Sequence, residues 1–335
     1  MQTRSLLLLL GLSVASAAGA IVTLQADQPA RSLPAGVKLF TDLATKQGQV
    51  TRITLSQGKE KLTLVRQGDT WGLAEKSGYA VAPEKIRQIL VDLTEVETLE
   101  GKTSKPELYG RLNVDEGETS SSRRLTLYGE KDAVLADVIL GKLRASAVNA
   151  AALGLDKPML YLRKAGEAQA FLVESRLNPK VEALEWLAKD LFDLPQEKVS
   201  AVTLTGADGA VIDIARDTAA TPPDFIVTNP PEGRVSKKGW DVTGVAATLE
   251  AMALEDVRPA ASLPADAPKS LSRFTLTEGG PITVTLVKAD GADWAVFDGE
   301  NDALKATKGW AYKLPSYKLE RLQKSMMDLT EEPKS

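Results

Sequence analysis

The chain has 335 residues, 41 Lys+Arg against 45 Asp+Glu, no Cys, no His and a net charge of −4. That length admits two domains of ordinary size. Without Cys there is no disulfide, thiol nucleophile, iron–sulfur cluster or thiolate zinc site; without His there is no Ser–His–Asp triad and no imidazole base; and a slightly acidic chain lacking a concentrated basic face predicts no nucleic-acid partner.

The opening MQTRS carries one positive residue, Arg4, and Ser5–Leu24 then runs without a charge. About 20 apolar residues span a bilayer as a helix, so residues 1–24 predict a transmembrane anchor. Arg4 would leave the N-terminus in the cytoplasm. The competing reading is a cleaved signal peptide, with Leu6–Leu12 as its apolar region and Ala15–Ala17 or Ala18–Ala20 as the small-residue cleavage site. Under both readings the body lies beyond the inner membrane, and under the first the protein is single-pass. Residues 25–48, punctuated by Pro29, Pro34, Gly36 and Gly48, read as a linker.

Beyond the linker the same pattern is written twice. Gln49–Leu55 alternates apolar and polar residues, as does Lys198–Leu204, and each is followed by a Gly-containing turn and a second alternating run, Lys61–Arg66 and Ala210–Arg216. Such pairs predict hairpins. Aromatic strands follow at Thr70–Leu73 and Asp224–Val227, then helices. Ile86, Ile89, Leu90, Leu93 and Val96 share one helical face after Pro83; Val245, Leu249 and Met252 form the corresponding stripe. Further strands pair off as Arg124–Leu127 with Arg273–Leu276, Ala136–Leu140 with Ile282–Val287, Met159–Leu162 with Trp294–Phe297, and Ala170–Val173 with Trp310–Lys313. A closing helix is predicted in each copy, one from Asn178 with Val181, Leu184, Leu187 and Leu191 inward, the other capped by Ser316 with Leu319, Leu322, Met326 and Leu329 inward. The predicted fold class is α+β: two duplicated modules, 49–196 and 197–335, each an antiparallel sheet with helices on one face, after the N-terminal span. Hairpin-length connections require antiparallel neighbours.

The "I-T-L" strand Ile53–Leu55, Trp71, and the run Trp310-Ala-Tyr312-Lys-Leu314-Pro-Ser-Tyr317 before the last helix resemble the bacterial envelope family known as domain of unknown function DUF4340. The resemblance covers nearly the whole chain after the linker. It implies a single-span or exported protein that accompanies ABC-transporter components of the gliding-motility type. It implies no catalytic residues, because the family has none assigned.

Few residue constellations carry chemistry. Glu182, Glu185 and Asp190 fall opposite the apolar stripe of a predicted helix, and Asp115, Glu116 and Glu118 fall in a loop; neither set converges as a carboxylate pair must. Ser104-Lys105 and Ser236-Lys237-Lys238 sit in polar loops. The acids Asp290–Asp293 and Asp298–Asp302 do not have calcium-loop spacing. No phosphate-binding glycine motif is present, and no cofactor or metal is predicted. Arg123 and Arg124, at a strand start, are candidate contacts for lipid headgroups. Trp186 lies off its helix's apolar stripe and is a candidate contact with a partner or between modules. The expected function is a non-catalytic, membrane-anchored periplasmic binding or scaffold protein, for which the resemblance points to an ABC-type transport partner. The alternatives are a soluble periplasmic ligand binder with its site between the modules, and a carboxylate- or Ser/Lys-dependent hydrolase.

Overall fold

The computed structural model describes residues 35–220 and 224–333. The segment read as an anchor or signal, and the start of the linker, lie outside them. Among the described residues no helix is long and apolar enough to cross a membrane. The chain is mixed α and β with antiparallel sheets. It divides into two compact units, one of residues up to Arg66 together with Glu84–Val181, the other of Gln67–Pro83 together with Glu182–Ser335.

In chain order the first elements are β1 (Arg52–Gln57), β2 (Glu60–Gln67), β3 (Thr70–Leu73), β4 (Tyr79–Ala80), α1 (Pro83–Thr94), β5 (Glu97–Gly101), β6 (Arg123–Tyr128), β7 (Val134–Ala145), β8 (Met159–Lys164) and β9 (Ala170–Glu174). The hairpin β3–β4 belongs to the second unit. The first unit's sheet runs β2-β1-β6-β7-β8-β9-β5. Its core follows from alternation. Ile53 faces Leu64 on one side and Leu127 on the other, and Leu55 faces Leu62 and Leu125, so two transverse rows of aliphatic side chains are fully buried. Each contributes about 1.5–3 kcal/mol of burial. Pro83 starts α1, where a missing N–H leaves nothing unsatisfied. Ile86, Ile89 and Leu93 of α1 are buried as the period requires.

β5 was not foreseen. Glu97-Thr-Leu-Glu-Gly has no apolar alternation, and its fully buried residue is Thr98, whose hydroxyl donates to the Val37 carbonyl. The connection from β5 to β6 folds back onto the sheet, packing Tyr109 and Val114 with Ile139, Tyr161 and Leu172. Gly141 of β7 permits this approach, since a methyl there would stand 2.4 Å from the Leu112 carbonyl oxygen.

The second unit continues with β10 (Asp190–Phe192), β11 (Val199–Thr205), β12 (Val211–Asp217), β13 (Asp224–Val227), β14 (Val235–Ser236), α2 (Trp240–Ala246) running into a 3₁₀ turn (Ala247–Leu249), β15 (Met252–Ala253) and β16 (Asp256–Pro259). It ends with β17 (Lys269–Leu276), β18 (Ile282–Ala289), β19 (Ala292–Gly299), β20 (Trp310–Lys313), α3 (Ser316–Leu322), α4 (Met326–Leu329) and β21 (Thr330–Glu331). Its main sheet runs β13-β12-β11-β17-β18-β19-β20-β16, and β10–β15 and β14–β21 form two small ladders. Val202 faces Ile214 and Phe274 across that sheet, all three buried. The hairpin β3–β4 is fixed here by Tyr79, whose ring lies edge-on to Trp310 at 5.0 Å and to Tyr312 at 6.1 Å, and by a Lys76–Asp256 ion pair at 2.5 Å.

Three helix expectations fail. The stripe Val245, Leu249 and Met252 is not one helical face, since α2 ends at Ala246, Leu249 closes the 3₁₀ turn and Met252 lies in β15. The closing helix expected from Asn178 is absent. In its place stand an irregular segment, a 3₁₀ turn at Ala183–Glu185 and β10. The backbone there finds partners across a bridge instead of along a helix: Ala82 N donates to Trp186 O, and Ala188 N to Ala80 O. Those two bonds and the Val81–Leu187 bridge replace the i→i−4 ladder. The second closing helix is broken into α3 and α4. Ser316 is already helical, after Pro315, and the cap is Ser325. The Ser325 hydroxyl accepts from Asp328 N while the Asp328 carboxylate accepts from Ser325 N, a capping box that starts a new helix where one continuous stripe was expected.

Candidate functional site

The side chains singled out in the sequence are committed to the fold. Arg123 donates from Nη1 to Asn178 Oδ1 at 2.6 Å and to the Pro179 carbonyl at 2.9 Å. Arg124 makes a two-pronged contact with Asp137, at 2.9 and 2.6 Å, and a third with Glu116 at 3.2 Å; the Asp137 hydrogen bond raises its already high pKa. Glu116 also pairs with the buried Arg163 at 2.7 Å, so the loop acids brace the β5–β6 connection. Trp186 is 4% exposed, in the other unit from the two arginines. Ser236 accepts from Val227 N and donates to the Lys237 carbonyl, while the Lys237 ammonium donates to the Asp328 carbonyl at 2.8 Å. Among the described residues no group of three or more Asp or Glu is placed to hold a metal ion.

The exposed aromatic side chains with defined partners gather around α2 and α3. α2 begins after Gly239, whose φ of +73° is a left-handed conformation that glycine adopts without strain. Asp224 of β13 holds that start. Its carboxylate accepts from Gly239 N at 3.0 Å, from Phe225 N at 2.8 Å and from the Thr243 hydroxyl. These bonds, the Thr243 hydroxyl first, hold the Asp224 carboxyl below the usual carboxylate range. The first helical residue, Trp240, is left 61% exposed.

Arg321, near the end of α3, lies against this ring. Its guanidinium carbon is 4.9 Å from the Trp240 ring centre and 5.4 Å from that of Tyr317, which is itself exposed. Planar guanidinium stacks on aromatic faces in this way. Arg321 also donates to the Ala247 carbonyl at 3.4 Å. Beside it Lys318 points inward. Only 2% exposed, its ammonium donates to the Thr248 carbonyl at 2.8 Å and to the Glu250 carbonyl. The end of a helix leaves carbonyls without partners, and a cation satisfies them. Burial, with the nearby Arg321 charge second, pushes the Lys318 pKa down to about 8. α4 packs alongside α2 and exposes Met327.

The result is a surface of Trp240, Tyr317 and Arg321, on a base where Asp224 holds the start of α2 and Lys318 ties α3 to the turn after it. Trp, Tyr and Arg are the residue types that dominate binding energy at protein interfaces. Preorganised, they lose little conformational freedom when a partner docks. The sequence reading missed this group. Trp240 follows a Gly after two lysines, a local signal for an exposed helix start, but Arg321 reaches it from 81 positions away along the chain.

A family model described as domain of unknown function (DUF4340) matches residues 71–258. No curated protein and no solved structure matches the chain.

Proposed function

Since the chain belongs to the family described as domain of unknown function DUF4340, its own residues must supply its role, and we propose that it is a non-catalytic binding protein of the bacterial envelope whose contact surface is the Trp240–Arg321–Tyr317 stack. That stack is the observation that carries the reading. In this proposal Ser5–Leu24 holds the protein in the inner membrane with its N-terminus inside, and the body presents the stack to a membrane-protein partner. The family resemblance makes that partner a component of an ABC-type transport system. The uncharged run of Ser5–Leu24 and the lone Arg4 before it support the membrane part of the reading.

The body is further proposed to be an internal duplication. In one sheet the order is β2-β1-β6-β7-β8-β9-β5; in the other, β12-β11-β17-β18-β19-β20-β16 occupies corresponding places, with the last strand in each case coming from the stretch after the helix. A repeated order of seven strands, together with the repeated sequence pattern, supports descent from one module.

A second reading, ligand binding, draws on a groove of about 420 Å³ between the β11–β12 turn and the α3–α4 turn, lined by Leu204, Val211, Ile212, Leu322 and Met326. Its volume suits a small molecule. Of its polar lining, Asp208 accepts from Ala210 N, Gln323 donates to Asp293 and Ser325 donates to Asp328, which leaves Thr205, Ser270 and Lys324 to orient a ligand.

The test is site-specific photocrosslinking of the full chain in intact cells. A crosslinker in place of Trp240 should capture an ABC-transporter membrane component, identified by mass spectrometry, and Arg321→Ala should abolish the capture. An equal yield from a crosslinker at Val134, an exposed residue of the other unit, would remove the stack from the reading.

A further inference from the structure

β7 ends in an excursion that the rest of the fold does not explain. Beyond Leu140 its register with β8 shifts twice, at Leu143 and at Ala145, and the alternation of inward and outward side chains breaks down. Lys142, Leu143 and Arg144 are all exposed as a result. A short helix, Ala147–Ala151, follows, capped by Ser146, and the chain returns through Leu153 to β8. Val148 is 80% exposed and Leu153 66%, alongside the exposed Leu143. Ala145–Leu155 contains no charged residue. Three large apolar side chains in water on one short loop cost solubility and offer nothing to the core.

The charges around the loop indicate what covers it. Lys142 and Arg144 enter no ion pair or side-chain hydrogen bond among the described residues. Among the acids nearby, Glu100 pairs with Lys102, Glu95 pairs with Lys157, and Glu174 accepts from the backbone of Asp156 and Lys157, while the exposed Asp156, just past the apolar run, offsets one of the two free cations. In a chain with a net charge of −4, this apolar loop thus keeps a net positive charge at its base, Lys142 and Arg144 against Asp156. An apolar tip over a basic collar complements a leaflet of anionic lipids, where acyl chains receive the tip and phosphates receive the collar.

We propose that Leu143, Val148 and Leu153 dip into the surface of an anionic lipid bilayer, with Lys142 and Arg144 contacting its headgroups. The contact belongs to the first unit and stands apart from the Trp240 stack. It needs no spanning segment, but a spanning segment would hold the loop near its leaflet.

The chain has no cysteine, so one introduced cysteine is a unique label site. Full-length Val148→Cys and Leu153→Cys carry an environment-sensitive fluorophore; Val134→Cys is the control. Val134 is exposed at the other end of β7, nine residues from Leu143, or about 30 Å along a strand. The probes are vesicles of phosphatidylcholine with phosphatidylglycerol, with doxyl-labelled lipid as quencher, against vesicles of phosphatidylcholine alone. The expected result is a blue shift and quenching at 148 and 153 but not at 134, in the anionic vesicles. Lys142→Gln and Arg144→Gln should each weaken the loop's contact about fivefold. Equal quenching at 148 and 134, or quenching that ignores both lipid charge and the Gln variants, overturns the proposal. So does protection of the label by rising protein concentration without vesicles, which would make the occupant a second copy of the chain. Flotation of the unlabelled full chain reports the N-terminal segment separately, so failure of the anchor reading and failure of the loop reading give different results.

Discussion

Lys318 supplies a test of the pinned base beneath the Trp240 stack. The residue is 2% exposed, and burial lowers its pKa from 10.5 to about 8. The charged groups around it are Arg321, which lowers it further, and Glu250 and Asp193, which partly restore it. The unfolded chain therefore binds this proton more tightly than the folded chain does. Stability must then rise with pH across the window between the folded and unfolded values, because there the unfolded state holds the extra proton. Between pH 7 and pH 10 the gain from this one group works out at about 2–3 kcal/mol. Above pH 10 the trend is opposed by Tyr79 and Tyr312, whose burial raises their pKa values, so that they stay neutral in the fold while their unfolded counterparts ionise. The assay is urea unfolding followed by tryptophan fluorescence at pH steps from 7 to 10, on the wild-type chain and on Lys318→Met. Wild type should gain stability relative to the variant's curve, so that the two diverge by about 2–3 kcal/mol over the window. The absolute offset at pH 7 does not decide the matter, since the variant loses two hydrogen bonds to carbonyls while shedding a buried charge. Parallel curves would refute the reasoning and place the Lys318 ammonium in water.

Three further outcomes follow from the same structure. Gly141→Ala should destabilise the chain by about 1–3 kcal/mol, read as a lowered urea midpoint, because the new methyl and the Leu112 carbonyl cannot both keep their places. Asp224→Ala should cost about 1–2 kcal/mol at neutral pH by uncapping α2. The Asp224 carboxyl is depressed in the fold, so its contribution is full above its ordinary value of 3.8 and is lost as pH falls through the lowered one; the gap between wild type and variant should close in acid. Trp240→Ala should change unfolding free energy by about 1 kcal/mol or less, the size of an exposed cation–π contact, while removing partner capture in the crosslinking assay.

Most strands were legible because burial on one face imposes a period of two on the sequence. The rows Leu64–Ile53–Leu127 and Ile214–Val202–Phe274 are that period seen across three strands at once. β5 and β16 were not legible. Asp256-Val-Arg-Pro and Glu97-Thr-Leu-Glu-Gly each lie at the end of a sheet, where a neighbour on one side suffices and polar residues are tolerated. The lost helix at 178–191 shows the opposite failure. Leucines at 184, 187 and 191 make a convincing stripe, yet Leu184 is exposed and the backbone around Trp186 and Ala188 pairs with the β4 segment. Spacing records which residues are apolar, and a partner strand from another part of the chain can use the same residues differently.

The candidate site was hidden for a related reason. A sequence shows the charge of an arginine but not what neutralises it. Arg123 and Arg124 looked free at a strand start, yet Asn178, Pro179, Asp137 and Glu116 occupy them from both sides along the chain. Arg321 carries no local signal in the sequence, yet it is the residue whose guanidinium stands against two exposed rings. Lys318, three positions before it, carries no such signal either and is buried on two carbonyls. In each case the deciding quantity is the set of unsatisfied backbone or carboxylate acceptors that folding brings near, and those acceptors come from distant sequence. α3 divides its two cations accordingly. Lys318, with a compact ammonium, is drawn to the carbonyls that end the 3₁₀ turn, whereas Arg321, planar and more weakly hydrated, can stack on indole and phenol at the surface. Exchanging the two residues would keep charge and composition while leaving the carbonyls with a group too large for their site and the rings with one too strongly hydrated to lie flat on them. That double exchange should lose both the pH-dependent stability and partner capture, and retention of either would show that its determinant is charge alone.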